Sequence, residues 1–581
     1  MRKEIRSYGN FFNKYLKPLK FQVLFLGIIL ASSIIITLIM PKILGGFIDL
    51  AKEGASTNVL ISTAVYFMIL VILKQLLELV STYLSQKIGW FSTNQLRIDL
   101  IEKCLSLDIS FHKKYKQGEL IERIDGDVAA LFNFFSKLLP NFLNNIVLII
   151  GILIMIFSEG ISIGIAISIF VAIAFFAFIK IQKKAVPVWV ENRGVTSEFY
   201  GLLGESIDSR DDIRASRAVE YFMYLYHKFL RKLYKVQVKS ELMFYKMFAS
   251  SIVIFSIGGA LAIGISGYFW KEGVISIGTV FVILNYTELL KKPIDQIRFQ
   301  LEDLQKSSAS IKRIEEIFST KSQLVDGNNE LVKDGAIAID VRNIDFEYED
   351  GKKVLTDISF NINKGKILGV LGKTGSGKTT LARLIARLYD PQQGEICFNG
   401  QNINSFTIKD LRSHVAYVTQ DVQIFYATLR ENMTLFNPYI EDNRIIKIME
   451  EIGLGDWFKK LPNGLDTILK SEGGGISEGE AQLIAFVRVF LSNPSIVIMD
   501  EASSRLDPAT ERTMEKALEK LLKNRTCIII AHRLSTIDRA DNILILEDGI
   551  IVENGSRDQL VKDKNSKFYN LLNKGIEEVL I

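Results

Sequence analysis

The stretch Lys366-Ile-Leu-Gly-Val-Leu371 runs directly into Gly372-Lys373-Thr374-Gly375-Ser376-Gly377-Lys378-Thr379-Thr380 and then into Leu381 to Leu388. The first part reads as a buried strand and the last as a helix. Between them lies G-x-x-x-x-G-K-S/T, in the strand–loop–helix setting that this pattern requires. The glycines let successive backbone N–H groups turn inward around an anion, and the helix N-terminus adds its dipole. Lys378 can reach the β- and γ-phosphates of a nucleotide, and the Thr379 hydroxyl can hold Mg²⁺. The pattern predicts an α/β nucleotide-binding domain.

Two runs further along support it. Ser495-Ile-Val-Ile-Met-Asp500 is an apolar strand that ends on Asp500, with Glu501 next. Asp500 suits the second shell of Mg²⁺, and Glu501 can orient or deprotonate an attacking water. Thr526-Cys-Ile-Ile-Ile-Ala-His532 ends in one of only 4 histidines. At the carboxyl edge of a parallel strand, where ligands bind, His532 can contact the γ-phosphate.

The chain has 581 residues, a prior of about four folding units. It is 48% hydrophobic with mean hydropathy +0.21, too apolar for a soluble protein with 23% charge unless the apolar residues are segregated. They are: the long uncharged runs all precede about residue 293. The apolar content and only 10 prolines exclude disorder. Cys104, Cys397 and Cys527 are too scattered for a disulfide framework or metal-ligand spacing. A net charge of +5 on this length gives no support for nucleic-acid binding.

A hydrocarbon core about 30 Å thick needs about 20 apolar residues in a helix. Six stretches qualify, at about 21–43, 59–81, 138–157, 161–180, 247–269 and 275–293. Lys and Arg crowd the N-terminal segment and the second-to-third and fourth-to-fifth connections, while each of the other short loops holds at most one cation. By the positive-inside rule both termini and both long connections are cytoplasmic, in a multi-pass protein of the cell membrane. The first apolar run is too long for a signal peptide and lacks a small-residue cleavage site. Residues 92–138 and 184–246 keep helical periodicity, so spans two to five are expected to continue below the membrane. They would turn near Tyr115-Lys116-Gln117-Gly118 and Ser209-Arg210-Asp211-Asp212. Charge inside the spans is sparse. Lys74 and Glu78 lie one turn apart, and Asn144, Asn145 and Glu288 are the other polar candidates. Such a lining suggests an amphipathic or apolar cargo.

In this order the motifs resemble the ATPase domain of ABC transporters. The whole chain resembles the exporter type, with six spans fused ahead of that domain. The resemblance implies a six-span helical membrane domain over 1–317, a linker over 318–336 and an ABC ATP-binding domain over 337–575. It implies ATP and Mg²⁺ as ligands and ATP hydrolysis coupled to transport. Tyr348 then sits where an aromatic stacks on adenine. Gln420 matches the glutamine that meets Mg²⁺ and the membrane domain. Asp507, in Ser504-Arg505-Leu506-Asp507, matches the D-loop, and His532 matches the switch histidine. Residues 112–127 and 204–216 resemble the coupling helices.

One motif departs. The signature, usually Leu-Ser-Gly-Gly-Gln, reads Ile476-Ser477-Glu478-Gly479-Glu480 here. In the family this loop closes on the γ-phosphate bound by the opposite subunit. Ser477 and Gly479 are kept, while Glu478 and Glu480 bring negative charge towards phosphate. The expected protein is a half-transporter that dimerises in membrane lipid. It binds ATP between its soluble domains and exports cargo by alternating access, with a heterodimer favoured over a homodimer. The competing reading is a non-transporting, ATP-gated regulator or channel. The intact Glu501 and His532 argue against it, because gating by binding alone does not need them.

Overall fold

The computed structural model describes residues 14–331, 335–348, 351–420, 422–470, 476–500, 508–530 and 537–574. The chain divides into two compact units: Met1–Leu105 with Gln117–Thr320, and Ser106–Lys116 with Lys321–Ile581. Helices in chain order are α1 (Lys20–Lys52), α2 (Thr57–Ser106), α3 (Ile109–Lys114), α4 (Gln117–Glu159), α5 (Ile161–Asp208), α6 (Arg210–Ala215), α7 (Val219–Lys271), α8 (Ile277–Leu289) and α9 (Lys291–Ser319).

In the first unit, α1, α2, α4, α5 and α7 are each long and apolar enough to cross a membrane. The apolar window of α2 buries none of its residues, and Ile61, Met68, Ile72, Leu76 and Leu79 are all exposed. Such a face belongs in hydrocarbon. The second to fifth spans do continue as single helices of 43–53 residues. The sixth apolar stretch behaves differently. It forms α8, only 13 residues, then turns at Leu290 and resumes as α9. Pro293, in the first turn of α9, is the cause: it has no N–H to give the carbonyl of Leu289, one turn back. Two backbone bonds, Leu290 N to Tyr286 O at 3.2 Å and Ile294 N to Leu290 O at 3.3 Å, bridge the break.

Polar contacts lock these helices together. The Asp49 carboxylate, near the end of α1, accepts from Ser276 Oγ at 2.5 Å and Gly278 N at 2.8 Å, which caps the start of α8. Tyr286, fully buried, donates to the Leu38 carbonyl at 2.5 Å. Lys42 pairs with Glu159 at 2.9 Å, joining α1 to the end of α4. Lys74 and Glu78 pair at 3.7 Å on α2, while Asn145 is buried with Nδ2 unpartnered. Lower down, the Arg313 guanidinium of α9 grips the buried Asp127 carboxylate of α4 with two nitrogens, Nε at 2.8 Å.

The second unit begins with α3, whose N-cap Asp108 accepts from Phe111 N at 3.2 Å, Ser322 Oγ at 3.1 Å and Gln323 N at 2.6 Å. The connection between α2 and α4 thus contains a separate short helix ending at Lys114, and residues 117–127 belong to α4. This differs from the expected extent of 112–127, because Asp108 starts a helix earlier and Tyr115 is extended. The second turn carries α6, inside the expected 204–216.

The rest of the unit is built on two sheets. Strands β1 (Ile339–Glu347), β2 (Lys353–Ile362) and β4 (Gln393–Phe398) pair antiparallel in the order β2-β1-β4, with Gln401–Asn402 at the edge. The second sheet uses β3 (Ile367–Leu371), β5 (Val415–Val418), β6 (Ile496–Asp500), β7 (Thr526–Ile530), β8 (Asn542–Glu547) and β9 (Ile550–Ser556), in the order β9-β8-β3-β7-β6-β5. All its pairings are parallel except β8 with β9. Every residue of β6 and β7 is buried, which explains their unbroken apolar runs. Helix α10 (Lys378–Ile385) follows β3, and α11 (Glu478–Ser492) and α12 (Pro508–Leu522) pack together further on.

The Arg313–Asp127 pair is lopsided, since Arg313 is about half exposed and Asp127 is 2% exposed. Arg313→Met should therefore destabilise the detergent-solubilised protein towards the lower end of the about 3–5 kcal/mol typical of a broken buried pair. Asp127→Asn, which keeps a hydrogen-bonding group in place, should cost less. Equal losses of thermal midpoint in the two variants would count against a buried carboxylate as the source of the cost.

Candidate nucleotide site

The site is set by strand register. Ile530 of β7 pairs with Val370 of β3 on one side and with Asp500 of β6 on the other, and Val418 of β5 pairs with Met499. Four parallel strands therefore end at one edge, the edge at which such sheets bind ligands. From β3 the chain enters Gly372–Thr380, and from β5 it reaches the exposed Gln420. Glu501 follows β6 and His532 lies two residues beyond β7. Both fall outside the described residues, as does Asp507.

The loop after β3 is shaped by its glycines. Gly372 has φ +150°, and a Cβ there would stand 2.2 Å from the Leu546 carbonyl oxygen. Gly377 caps α10 at φ +101°, and a Cβ would meet Leu355 Cδ2 at 2.6 Å. No larger residue fits either place without displacing neighbours. Lys373, Thr374 and Gly375 are exposed, Thr379 is half-buried, and Ser376 is buried with its Oγ unpartnered. Lys378 is 6% exposed and donates to the carbonyls of Gly372 at 2.6 Å and Lys373 at 2.9 Å. A buried ammonium folded onto its own loop, beside an unsatisfied hydroxyl and a helix N-terminus, fits a polyphosphate. Thr379, Gln420 and Asp500 are the residues that would hold Mg²⁺ beside it.

Asp500 is buried and accepts from Tyr417 Oη at 3.1 Å. Burial, reinforced by the Asp500 charge, pushes the Tyr417 phenol well above its ordinary range, so it remains a donor and fixes the carboxylate. Tyr348 lies just past β1. Its hydroxyl is 3.0 Å from Thr380 Oγ1, and its ring meets Phe346 and Tyr389 edge to face at 5.0 and 5.5 Å. The ring thus stands beside the phosphate loop, and Lys113 Nζ lies 3.9 Å from its centroid.

The signature segment opens α11. Ser477 is the N-cap and its Oγ accepts from Glu480 N at 3.2 Å, while the Glu480 carboxylate accepts from Ser477 N at 2.6 Å. This is a reciprocal capping box, which Glu and Gln form equally, and an anion suits the helix start. Glu480 is therefore engaged by the helix itself, which the count of charges in the sequence did not anticipate. Gly479 is buried. Arg488, on the same helix, donates to the carbonyls of Asn432 at 2.8 Å and Gln423 at 3.0 Å, tying the signature helix to the segment after Gln420. Neither Lys113 nor Arg488 stood out in the sequence, because each acts on a partner distant in the chain and neither lies in a motif.

Known proteins share this arrangement. The family described as "ABC transporter transmembrane region" matches residues 23–294, and that described as "ABC transporter" matches residues 355–504. A multidrug resistance ABC transporter ATP-binding and permease protein of Lactococcus lactis subsp. cremoris is 30% identical over 471 residues, covering 80% of this chain and 79% of its own. The ABC transporter ATP-binding protein YfiC of Bacillus subtilis is 28% identical over 568 residues, covering 96% of this chain and 92% of its own. The structure of a bacterial Atm1-family ABC exporter with ATP bound superposes with a TM-score of 0.82 at 22% identity, covering 96% of this chain and 98% of that one. This last likeness is one of fold.

Replacing Lys378 by Ala removes the cation buried in the loop, so MgATP binding to the purified protein should fall by about 10- to 100-fold, the scale of one buried charge-assisted contact. Retained affinity in a titration calorimeter would place the phosphates elsewhere.

Proposed function

The chain belongs to the ABC transporters, and from that premise we propose that it is one half of a heterodimeric exporter working by alternating access in the cell membrane, with both termini cytoplasmic. ATP with Mg²⁺ is its ligand, and hydrolysis is coupled to export by a multi-pass membrane domain that functions as a dimer in lipid. The observation that carries the proposal is that each chain has one phosphate loop, Gly372–Thr380, and one signature, Ser477–Glu480. A site closed by the opposite subunit's signature therefore needs two chains.

In this reading the loop amides and Lys378 hold the phosphates, while Thr379, Gln420 and Asp500 position Mg²⁺. Glu501 orients and deprotonates water for in-line attack, and His532 contacts the γ-phosphate. Tyr348 stacks on the base. Closing the two soluble domains on ATP favours one membrane conformation, and hydrolysis releases it.

The choice of a heterodimer follows from the signature. With Glu480 engaged in the capping box, Glu478 is the residue that brings charge to the partner's phosphate. At an effective dielectric of about 20, like charges a few ångströms apart cost at most a few kcal/mol. A homodimer would place that cost at both sites. A partner with an unmodified signature would spare the site built on this chain's Lys378 and Glu501.

Glu501→Gln should leave MgATP affinity within about two-fold and lower hydrolysis by at least about 100-fold, since the carboxylate acts on water and not on the nucleotide. Affinity falling in step with rate would contradict that division. For the chain purified alone, Glu478→Gly should raise ATPase activity about ten-fold, and Glu480→Gln should change it by less than about two-fold because Gln keeps the capping box. Fast, cargo-stimulated turnover of a homodimer that neither change improves would remove the case for a second subunit.

A further inference from the structure

We propose that Lys113 occupies the base position of this chain's own nucleotide site, so that a purine must displace it in order to stack on Tyr348. The inference rests on the reading of Tyr348 as the base platform and adds a residue from outside every motif.

Tyr348 is held from several directions. Its ring packs against the core cluster around β1, β2 and α10, and Phe346 and Tyr389 meet it edge to face. Its hydroxyl is fixed at Thr380. A half-buried ring has one side turned to the core and one side open to solvent. The open side is the one a base can reach. Lys113 is itself exposed, and its ammonium lies over the Tyr348 ring, 3.9 Å from the centroid, which we assign to the open face. It also lies 5.4 Å from the Tyr389 ring. Among the described residues Lys113 makes no ion pair, and its ammonium lies beside these two rings. An ammonium over an aromatic face is attracted by the ring quadrupole.

The lysine is presented by a rigid support. Asp108 caps α3 and binds both Ser322 and the backbone of Gln323, Ile109 packs against the core cluster, and Phe111 is buried. Lys113 therefore does not lie on the ring by random wandering of a loose loop. Residues 106–116 also join α2 to α4. Displacement of Lys113 by a base is thus felt first by the segment that connects two of the long helices.

The test uses the full chain in the Glu501→Gln background, to suppress turnover, and two probes: MgATP and magnesium tripolyphosphate, which has the charge and no base. Lys113→Met should tighten MgATP about three-fold, the scale of an exposed cation–π contact, and leave tripolyphosphate unchanged. In a Tyr348→Leu background the same change should have no effect on either probe. Lys113→Arg, which stacks more strongly, should loosen MgATP and serves as a folded control. Unchanged or weaker MgATP binding by Lys113→Met overturns the proposal, and so does an equal shift for both probes, which would make Lys113 a simple counter-charge. If Tyr348→Leu alone leaves MgATP affinity unaltered, the stacking reading itself falls. If it weakens MgATP while Lys113→Met has no effect, only the role of Lys113 falls.

Discussion

The nucleotide site depends on one constraint, the parallel register that binds β7 to β3 and to β6. With Ile530 between Val370 and Asp500, the loops leaving adjacent strands begin at the same level. Strands lie about 4.8 Å apart, so the ends of β3, β7, β6 and β5 cover about 14 Å, a row that can serve one polyphosphate and its metal. A slip of one residue would move Asp500 by about 3.3 Å and turn its side chain to the other face of the sheet. The complete burial of β6 and β7 guards against that slip, since a shift of either run would have to repack both faces of the core at once.

What could be read from the sequence was what is local. The phosphate loop, the acidic end of β6 and the long helices announce themselves through spacing and period, because the physics that shapes them acts over a few neighbouring residues. Contacts between distant segments left no such trace. The grip of Lys113 on Tyr348, of Arg488 on the segment after Gln420, and of Asp49 on the start of α8 depends on how separate elements pack. The turn at Tyr115 is legible in the sequence, but the short helix before it is not: helical periodicity runs on from 92, and only the cap at Asp108 separates α3 from α2. The sixth apolar run extends to 293 by hydropathy, whereas its helix stops at Leu289, because hydropathy does not register the missing N–H of Pro293 and the backbone does.

The signature shows how far a charge count can mislead. Two glutamates two residues apart look equivalent in the sequence, yet one of them completes the first turn of α11. Its carboxylate takes the amide that the N-cap would otherwise leave open and lies at the positive end of the helix dipole. Whether an acidic side chain disturbs a phosphate site depends on what else already holds it.

The helix lengths carry a mechanical consequence. With 53 residues, α7 is about 80 Å long, and α2 and α5 are close behind at 50 and 48 residues. Rods of that length are lever arms. A tilt of about 5° at one end of α7 sweeps the other through about 7 Å, more than the pitch of one helical turn. Side-chain rearrangements of an ångström or two at the tips can thus be geared up, without any bending of the rods, into displacements as large as a side chain at the far face of the membrane.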